Sequence, residues 1–470
     1  MKWRWLPLAV WLCMASATTA SAQDIEAVIA RLVEGQALMS ADRLAEAEAV
    51  FRQAVVDAGV VSGQESADVA TATVLLGDAV AIQGRRDEAE GLYRQALSQL
   101  EAFERPPPLA YSLTLNSLGL LLLEQNRPEE ALDALTRATD IRSGAEGEAS
   151  DTALVFATNR ALALKQMGQH QQADEQYRRL LAVREATRPA DDLELATLLG
   201  NMGVNLILMD RSIEAEAVLR RSIAIREARL GVGHPSTALS LSALGTVLAA
   251  QGRLEVAEAM MRRALAAMPA TTDPGSLGGA YSGLADVLIA QGKYAEAGEV
   301  TDLSLALSRE TFGDDHPETG AALFSRAKVH MLQGQPAEAA PMLERSLAIF
   351  RDRLTQRPGV QVRPLLELAQ AEELTGRREA ARSHLVEARG VAETGLPDGH
   401  PTRTLAVVQL ASALEGWGQT REALPVLRDA GEALKERARR GGSDEAARAD
   451  FRRLRGLFRQ TVSAAWAEAH

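Results

Sequence analysis

Three histidines recur in one setting. His234, His316 and His400 each stand before a proline, in GHPSTA, DHPETG and GHPTRT. Imidazole is the commonest metal ligand and the side chain best suited to proton transfer near neutral pH, so a repeated His-Pro pair is the first place to look for chemistry. Other chemistry has little to work with. The single cysteine, Cys13, lies in an apolar run near the N-terminus. Without that run the chain has no thiolate ligand, disulfide or cysteine nucleophile. The phosphate loop GxxxxGK[ST], the nucleophile elbow GxSxG and the zinc motif HExxH are all missing. GVGHPS has two glycines of a dinucleotide loop, without the third and without a preceding strand. Paired acids such as Asp191-Asp192 fall in linkers, where nothing makes them share a proton. Neither enzymatic activity, nor a cofactor, nor a metal is expected.

The histidines are explained by what surrounds them, which is a repeat. Taking Gly245 as an anchor, steps of mostly 42 residues give Gly35, Gly77, Gly119, Ala161, Gly203, Gly245, Ala285, Ala327, Ala369 and Ala411. One step, Gly245 to Ala285, is 40. Twelve residues past every anchor stands an alanine, from Ala47 to Ala423. Seven past it stands Gly, Asn or Asp, residues that accept left-handed backbone angles and so end a helix. Sixteen past it bulky residues prevail: Phe51, Tyr93, Leu135, Tyr177, Leu219 and Met261. Apolar spacing of three and four within each half predicts a helix, a tight turn and a second helix. One such pair cannot bury both faces, so the pairs must stack.

His234, His316 and His400 each lie eleven residues before an anchor, where other repeats have Asp24, Ser66, Ser150 and Asp192. Those are helix N-cap residues. The His-Pro pair therefore marks the start of a first helix, with proline in the first turn where its missing N–H costs nothing. Two repeats separate each histidine from the next, too far for metal bonds of ~2 Å to join them.

Composition agrees. Of 470 residues 46% are apolar but only 4% aromatic, which suits close-packed helices. The opening segment, residues 1–22, reads as a secretory signal: Lys2 and Arg4, an apolar run, then Ala20-Ser21-Ala22. Its loss takes the formal charge from −12 to −14. An acidic surface argues against nucleic-acid binding, and no run is long enough for a membrane span. The mature chain is expected to be exported, periplasmic or extracellular.

The small anchor, the invariant alanine and the bulky residue beyond it resemble the tetratricopeptide repeat. The 42-residue period and the LG..HP.TA pattern are similar to its kinesin-light-chain-like form. The resemblance implies an all-α fold, a right-handed α-solenoid of ten helix-turn-helix units over residues 23–436. It implies a non-enzymatic scaffold or adaptor that takes a protein or peptide partner in a groove lined by first helices. In the kinesin-light-chain-like form, asparagines of those helices bond to the bound peptide's backbone. Asn116, Asn159 and Asn201 stand two or three residues before their anchors and could act so; the alternative is solvated polar residues on a helix face. Arg160 and Arg326 replace the leucine expected one before the anchor, with Lys165 and Lys328 close in register. Their heads either pair locally or reach the groove and hold a partner carboxylate.

Residues 437–470 follow the array. Gly441-Gly442 breaks it, and Phe451, Leu454, Phe458 and Val462 then recur at helical spacing. From Lys435 to Arg459 nine basic residues face four acidic ones. A basic amphipathic helix capping the last repeat is expected; docking onto an acidic partner or anionic membrane is the alternative. Exported bacterial chains with such repeats and such a tail resemble the region preceding a CHAT peptidase domain. On that resemblance the chain would be the recognition or regulatory part of a separate hydrolase.

Overall fold

The computed structural model describes residues 22–441 other than 42, 270, 271, 273 and 397–399, together with Gly456, Arg459 and Val462. The segment read as a signal and most of the segment read as a cap lie outside the described residues. Among the described residues there are twenty α-helices and no strand, and the fold is an all-α repeat solenoid. The chain forms two compact units, Met1–Pro269 and Ala270–His470. The 40-residue step from Gly245 to Ala285 falls across their boundary.

The first unit contains α1 (Ala22–Ser40), α2 (Leu44–Ser62), α3 (Ala67–Ile82), α4 (Arg86–Glu101), α5 (Pro108–Glu124) and α6 (Pro128–Glu146). It continues with α7 (Asp151–Gln166), α8 (His170–Thr187), α9 (Leu193–Leu208), α10 (Ser212–Leu230), α11 (Ala238–Ala250) and α12 (Leu254–Ala267). The second contains α13 (Pro274–Ala290), α14 (Tyr294–Phe312), α15 (Pro317–Leu332) and α16 (Pro336–Arg353). Then come α17 (Val362–Leu374), α18 (Arg378–Gly395), α19 (Pro401–Gly416) and α20 (Thr420–Gly441). Odd-numbered helices are the first, or A, helix of each pair; even-numbered ones are the B helix.

Several starts and stops of the A helices have a local cause. Ser66 accepts a hydrogen bond from the Val69 N–H at 3.3 Å, and Ser150 one from Ala153 at 3.2 Å. Nδ1 of His234, His316 and His400 accepts from the N–H two residues on, each at 3.2 Å. The histidines are N-caps, satisfying donors that the first turn leaves free. The A helices end where the chain turns left-handed. Asn126 and Asp210 take φ 58° there, as Gly84 does at 83°.

The anchor works by contact. A Cβ added at Gly77 would lie 2.7 Å from the Tyr93 ring, and one at Gly35 2.5 Å from Phe51. Gly119 stands in the same relation to Leu135, and Gly203 to Leu219, each at 2.6 Å. Glycine on the A helix thus makes room for the bulky residue of its own B helix. The alanines twelve past the anchors are all 0% exposed, so nothing larger fits the crossing. Within each unit successive A helices also approach each other, with Cα atoms inside 8 Å; no two successive B helices come that close among the described residues. The A helices therefore lie on the inner side of each stack.

Candidate functional site

Positions two or three before the anchor, one past it and five past it are spaced by three and four, so they share one helix face. On α5, α7 and α9 of the first unit this face is partly open to solvent. On α5 it carries Asn116, Leu120 and Glu124; on α7 Asn159, Leu162 and Gln166; on α9 Asn201, Val204 and Leu208. The asparagines and Leu120 are half-buried, Leu162 is buried, and Val204 and Leu208 are exposed. The result is an apolar strip beside a row of amides.

The first two members of that row are bonded to each other. Asn159 Nδ2 donates to Asn116 Oδ1 at 2.8 Å, and Gln166 Nε2 donates to the Leu123 carbonyl at 2.9 Å. Asn116 Nδ2, Asn159 Oδ1 and the whole Asn201 amide make no hydrogen bond among the described residues. An amide that presents one free donor and one free acceptor matches the edge of an extended backbone.

The four cations named from the sequence are placed differently from one another. Arg160 Nη2 donates to Gln176 on α8 at 3.1 Å, and its Nη1 lies 3.8 Å from Asp140 on α6. Arg326 Nε donates to Asp302 on α14 at 2.6 Å. Both arginine heads are thus held by B-helix residues: they pair locally, as a charge in a packing slot must. Lys328 Nζ lies 3.2 Å from Asp286 on α13. Lys165 is half-buried, and burial pushes its ammonium below the ordinary lysine value. It makes no ion pair or hydrogen bond among the described residues.

The inner face of the second unit has another character. Asp286, Lys328, Arg363 and Glu367 follow one another on α13, α15 and α17. Burial raises the Glu367 carboxyl, while Arg363 and Lys328 oppose that rise. The Arg363 guanidinium also sits 5.9 Å over the Phe324 ring. Here Lys328 is already paired with Asp286, and Arg363 lies over an aromatic ring.

Three polar systems escaped the sequence reading. Arginines eight past the anchor bridge successive turns of the first unit. Arg127 Nη1 donates to Glu90 at 2.9 and 3.0 Å, Arg211 Nη1 to Asp174 at 2.7 Å and Arg253 Nη1 to Glu216 at 2.8 Å. Arg85 does the same to Glu48, whose carboxyl is lowered to about 2 chiefly by that bond, with Gln83 and Arg52 adding to it against the effect of burial. The second system is a buried column: Arg184 donates to the capping Asp192 at 2.7 Å, Arg142 to Glu146 at 2.7 Å and Arg226 to Ser240 at 2.6 Å. Both sets recur at 42 residues, and that period was the available signal. The third is Asp78, buried on α3 and accepting from Tyr93 Oη at 2.6 Å; burial pushes its carboxyl up to about 7.

Among the described residues no group of three His, Cys, Asp or Glu is placed to hold a metal ion, and no helix is long and apolar enough to cross a membrane.

These features define a repeat scaffold, and comparison with known proteins gives its family. Tetratricopeptide repeat models match residues 32–107, 91–146, 148–228, 194–270 and 276–352, more than half of the chain. The chain belongs to the tetratricopeptide repeat family, whose stacked helix pairs serve as scaffolds for protein interaction. No curated protein matches it. The apo form of the quorum sensor NprR from B. thuringiensis is 13% identical with a TM-score of 0.56, covering 87% of this chain and 99% of its own. It shares the fold. The nearly identical kinesin-light-chain TPR-like repeats of Podosopora anserina are 25% identical with a TM-score of 0.39, over 43% of this chain and 96% of theirs. A Rap protein complexed with Competence and Sporulation Factor is 15% identical with a TM-score of 0.47, over 84% of this chain and 99% of its own.

Proposed function

We propose that this is an exported, non-enzymatic adaptor that binds a segment of a partner protein on the A-helix face of its first unit. The observation that carries the reading is the row Asn116, Asn159 and Asn201 beside Leu120, Leu162, Val204 and Leu208. Amides with free donors and acceptors suit a peptide backbone, and the apolar strip suits its side chains. Affinity then comes from many modest contacts, with no reacting group required. The basic segment 437–470 caps the array in this reading, and the signal is removed after Ala22.

The test is purification of the tagged protein from the compartment to which it is exported, beside a variant with Asn116→Ala, Asn159→Ala and Asn201→Ala together. At ~1 kcal/mol per lost hydrogen bond the triple variant should bind its partner about a hundredfold more weakly. A partner retained with unchanged affinity removes the asparagines from the account. Intact mass of the exported protein should begin at Gln23, and a chain that retains Met1 in the cytoplasm contradicts export.

A further inference from the structure

The A helices α3 to α11 of the first unit hold one charge that nothing on those helices answers. The five helices α3, α5, α7, α9 and α11 carry two basic residues between them, Arg160 and Lys165. Arg160 is held by Gln176 and Asp140. Lys165 is half-buried, with no hydrogen bond or ion pair among the described residues. The acids of the same helices are engaged elsewhere. Asp68 accepts from Ser62 Oγ at 2.6 Å, Asp78 from Tyr93, and Asp151 from Arg188 at 2.7 Å. Glu124 lies 3.6 Å from Arg86, and Glu194 also has a partner. Burial thus lowers the Lys165 ammonium, and no intramolecular carboxylate opposes that effect.

We infer that Lys165 receives the carboxylate of one aspartate or glutamate in the interior of the bound segment, whose other contacts with this face are apolar. The inference rests on the binding face proposed above and adds the chemical class of its occupant. A carboxylate supplies the counter-charge that no residue of these helices gives the ammonium, and a charged pair of this kind is stronger than a neutral one. The match is one acid and not an acidic run, because a chain of net charge −12 repels a polyacidic segment. It is a side chain and not a C-terminus, because the face continues on both sides of Lys165. Asn116 and Leu120 on α5 lie before it, and Asn201, Val204 and Leu208 on α9 lie beyond it. A segment ending at Lys165 would leave half the face unfilled.

The test uses the purified full chain and a library of linear twelve-residue peptides displayed without a free C-terminus. Selections are run in parallel against wild type, Lys165→Met and Lys165→Glu. Methionine keeps the aliphatic stem and removes the charge, so this variant folds at least as well as wild type. Wild type should enrich Asp or Glu at one position among apolar neighbours. Lys165→Met should lose that acid and keep the apolar pattern, and Lys165→Glu should enrich Lys or Arg there. Replacing the selected acid by its amide should weaken binding to wild type about tenfold and leave binding to Lys165→Met unchanged. An acid preference that persists in Lys165→Met, or apolar peptides selected by wild type with no fixed acid, overturns the inference while leaving the binding face in place. Peptides indifferent to the asparagine triple variant, or no enriched peptide at all, overturn the binding face and this inference with it. A selection that succeeds only with free C-terminal carboxylates transfers the role to a chain end and overturns the interior placement.

Discussion

Asp78→Asn should stabilise the first unit above neutral pH. The Asp78 carboxyl is buried on α3, accepts the Tyr93 hydroxyl at 2.6 Å and is pushed up to about 7 by burial, against the lowering effect of its bonds with Tyr93 and Ser117. Unfolded, an aspartate titrates at ~3.9. Between those values the folded chain holds a proton that the unfolded chain has released. Stability therefore falls as pH rises from ~4 to about 7, and levels off above. The gap of about three pH units corresponds to about 4 kcal/mol at ~1.4 kcal/mol per unit. Asparagine keeps the oxygen that accepts from Tyr93 and cannot ionise, so it removes this slope. Among its described residues the unit has no tryptophan, and stacked repeats need not unfold in one step, so the readout is hydrogen exchange of α3, α4 and α5. Wild type should lose protection from pH 5 to 7.5 after correction for intrinsic exchange, and Asp78→Asn should not. At pH 8 the variant should be the better protected. A variant less protected at pH 8, or one that keeps the wild-type slope, refutes the reasoning.

Other substitutions probe the scaffold. Gly77→Ala puts a methyl 2.7 Å from the Tyr93 ring and should cost ~1–3 kcal/mol, read as a lower thermal midpoint. His316→Ala removes an N-cap acceptor and should cost ~1 kcal/mol, while His316→Asn should be nearly neutral and added zinc should shift neither. Arg184→Ala leaves Asp192 without its buried partner and should cost ~3–5 kcal/mol, which urea unfolding would show. Glu48 is lowered to about 2, so its bond with Arg85 stabilises the fold above the ordinary glutamate range and is lost as pH falls toward 2; Glu48→Gln should flatten that acid limb.

The scaffold was legible because its constraints are local and repeated. An anchor glycine, a bulky residue sixteen further on and a turn residue between them lie within one repeat, and each recurs at a fixed spacing. The capping histidines could be read the same way, since a cap acts on the next turn. Pairing between repeats was not legible to that degree. Arg127 meets Glu90 only because two successive turns stack, and Arg326 on α15 meets Asp302 on α14 across 24 residues and a change of repeat. Nothing local told Arg160 and Lys165 apart, five residues apart on one helix. One head meets B-helix acceptors, and the other makes no hydrogen bond or ion pair among the described residues. Asp78 looks like an open-face residue by register, and only the packing of α4 and α5 buries it against Tyr93 and Ser117. The asparagine row was visible; that Asn159 donates to Asn116 depends on how closely α5 and α7 approach.

The adaptor reading is tested most directly by where a partner touches the protein in the cell. A photoreactive amino acid is placed at Val204, exposed on the inner face of α9, or at Ile213, 83% exposed on α10. After irradiation in the native host, Val204 should yield one defined crosslinked polypeptide and Ile213 none. That adduct should fade when Asn116, Asn159 and Asn201 are all alanine. Adducts formed from Ile213 and not from Val204 would contradict binding on the A-helix face.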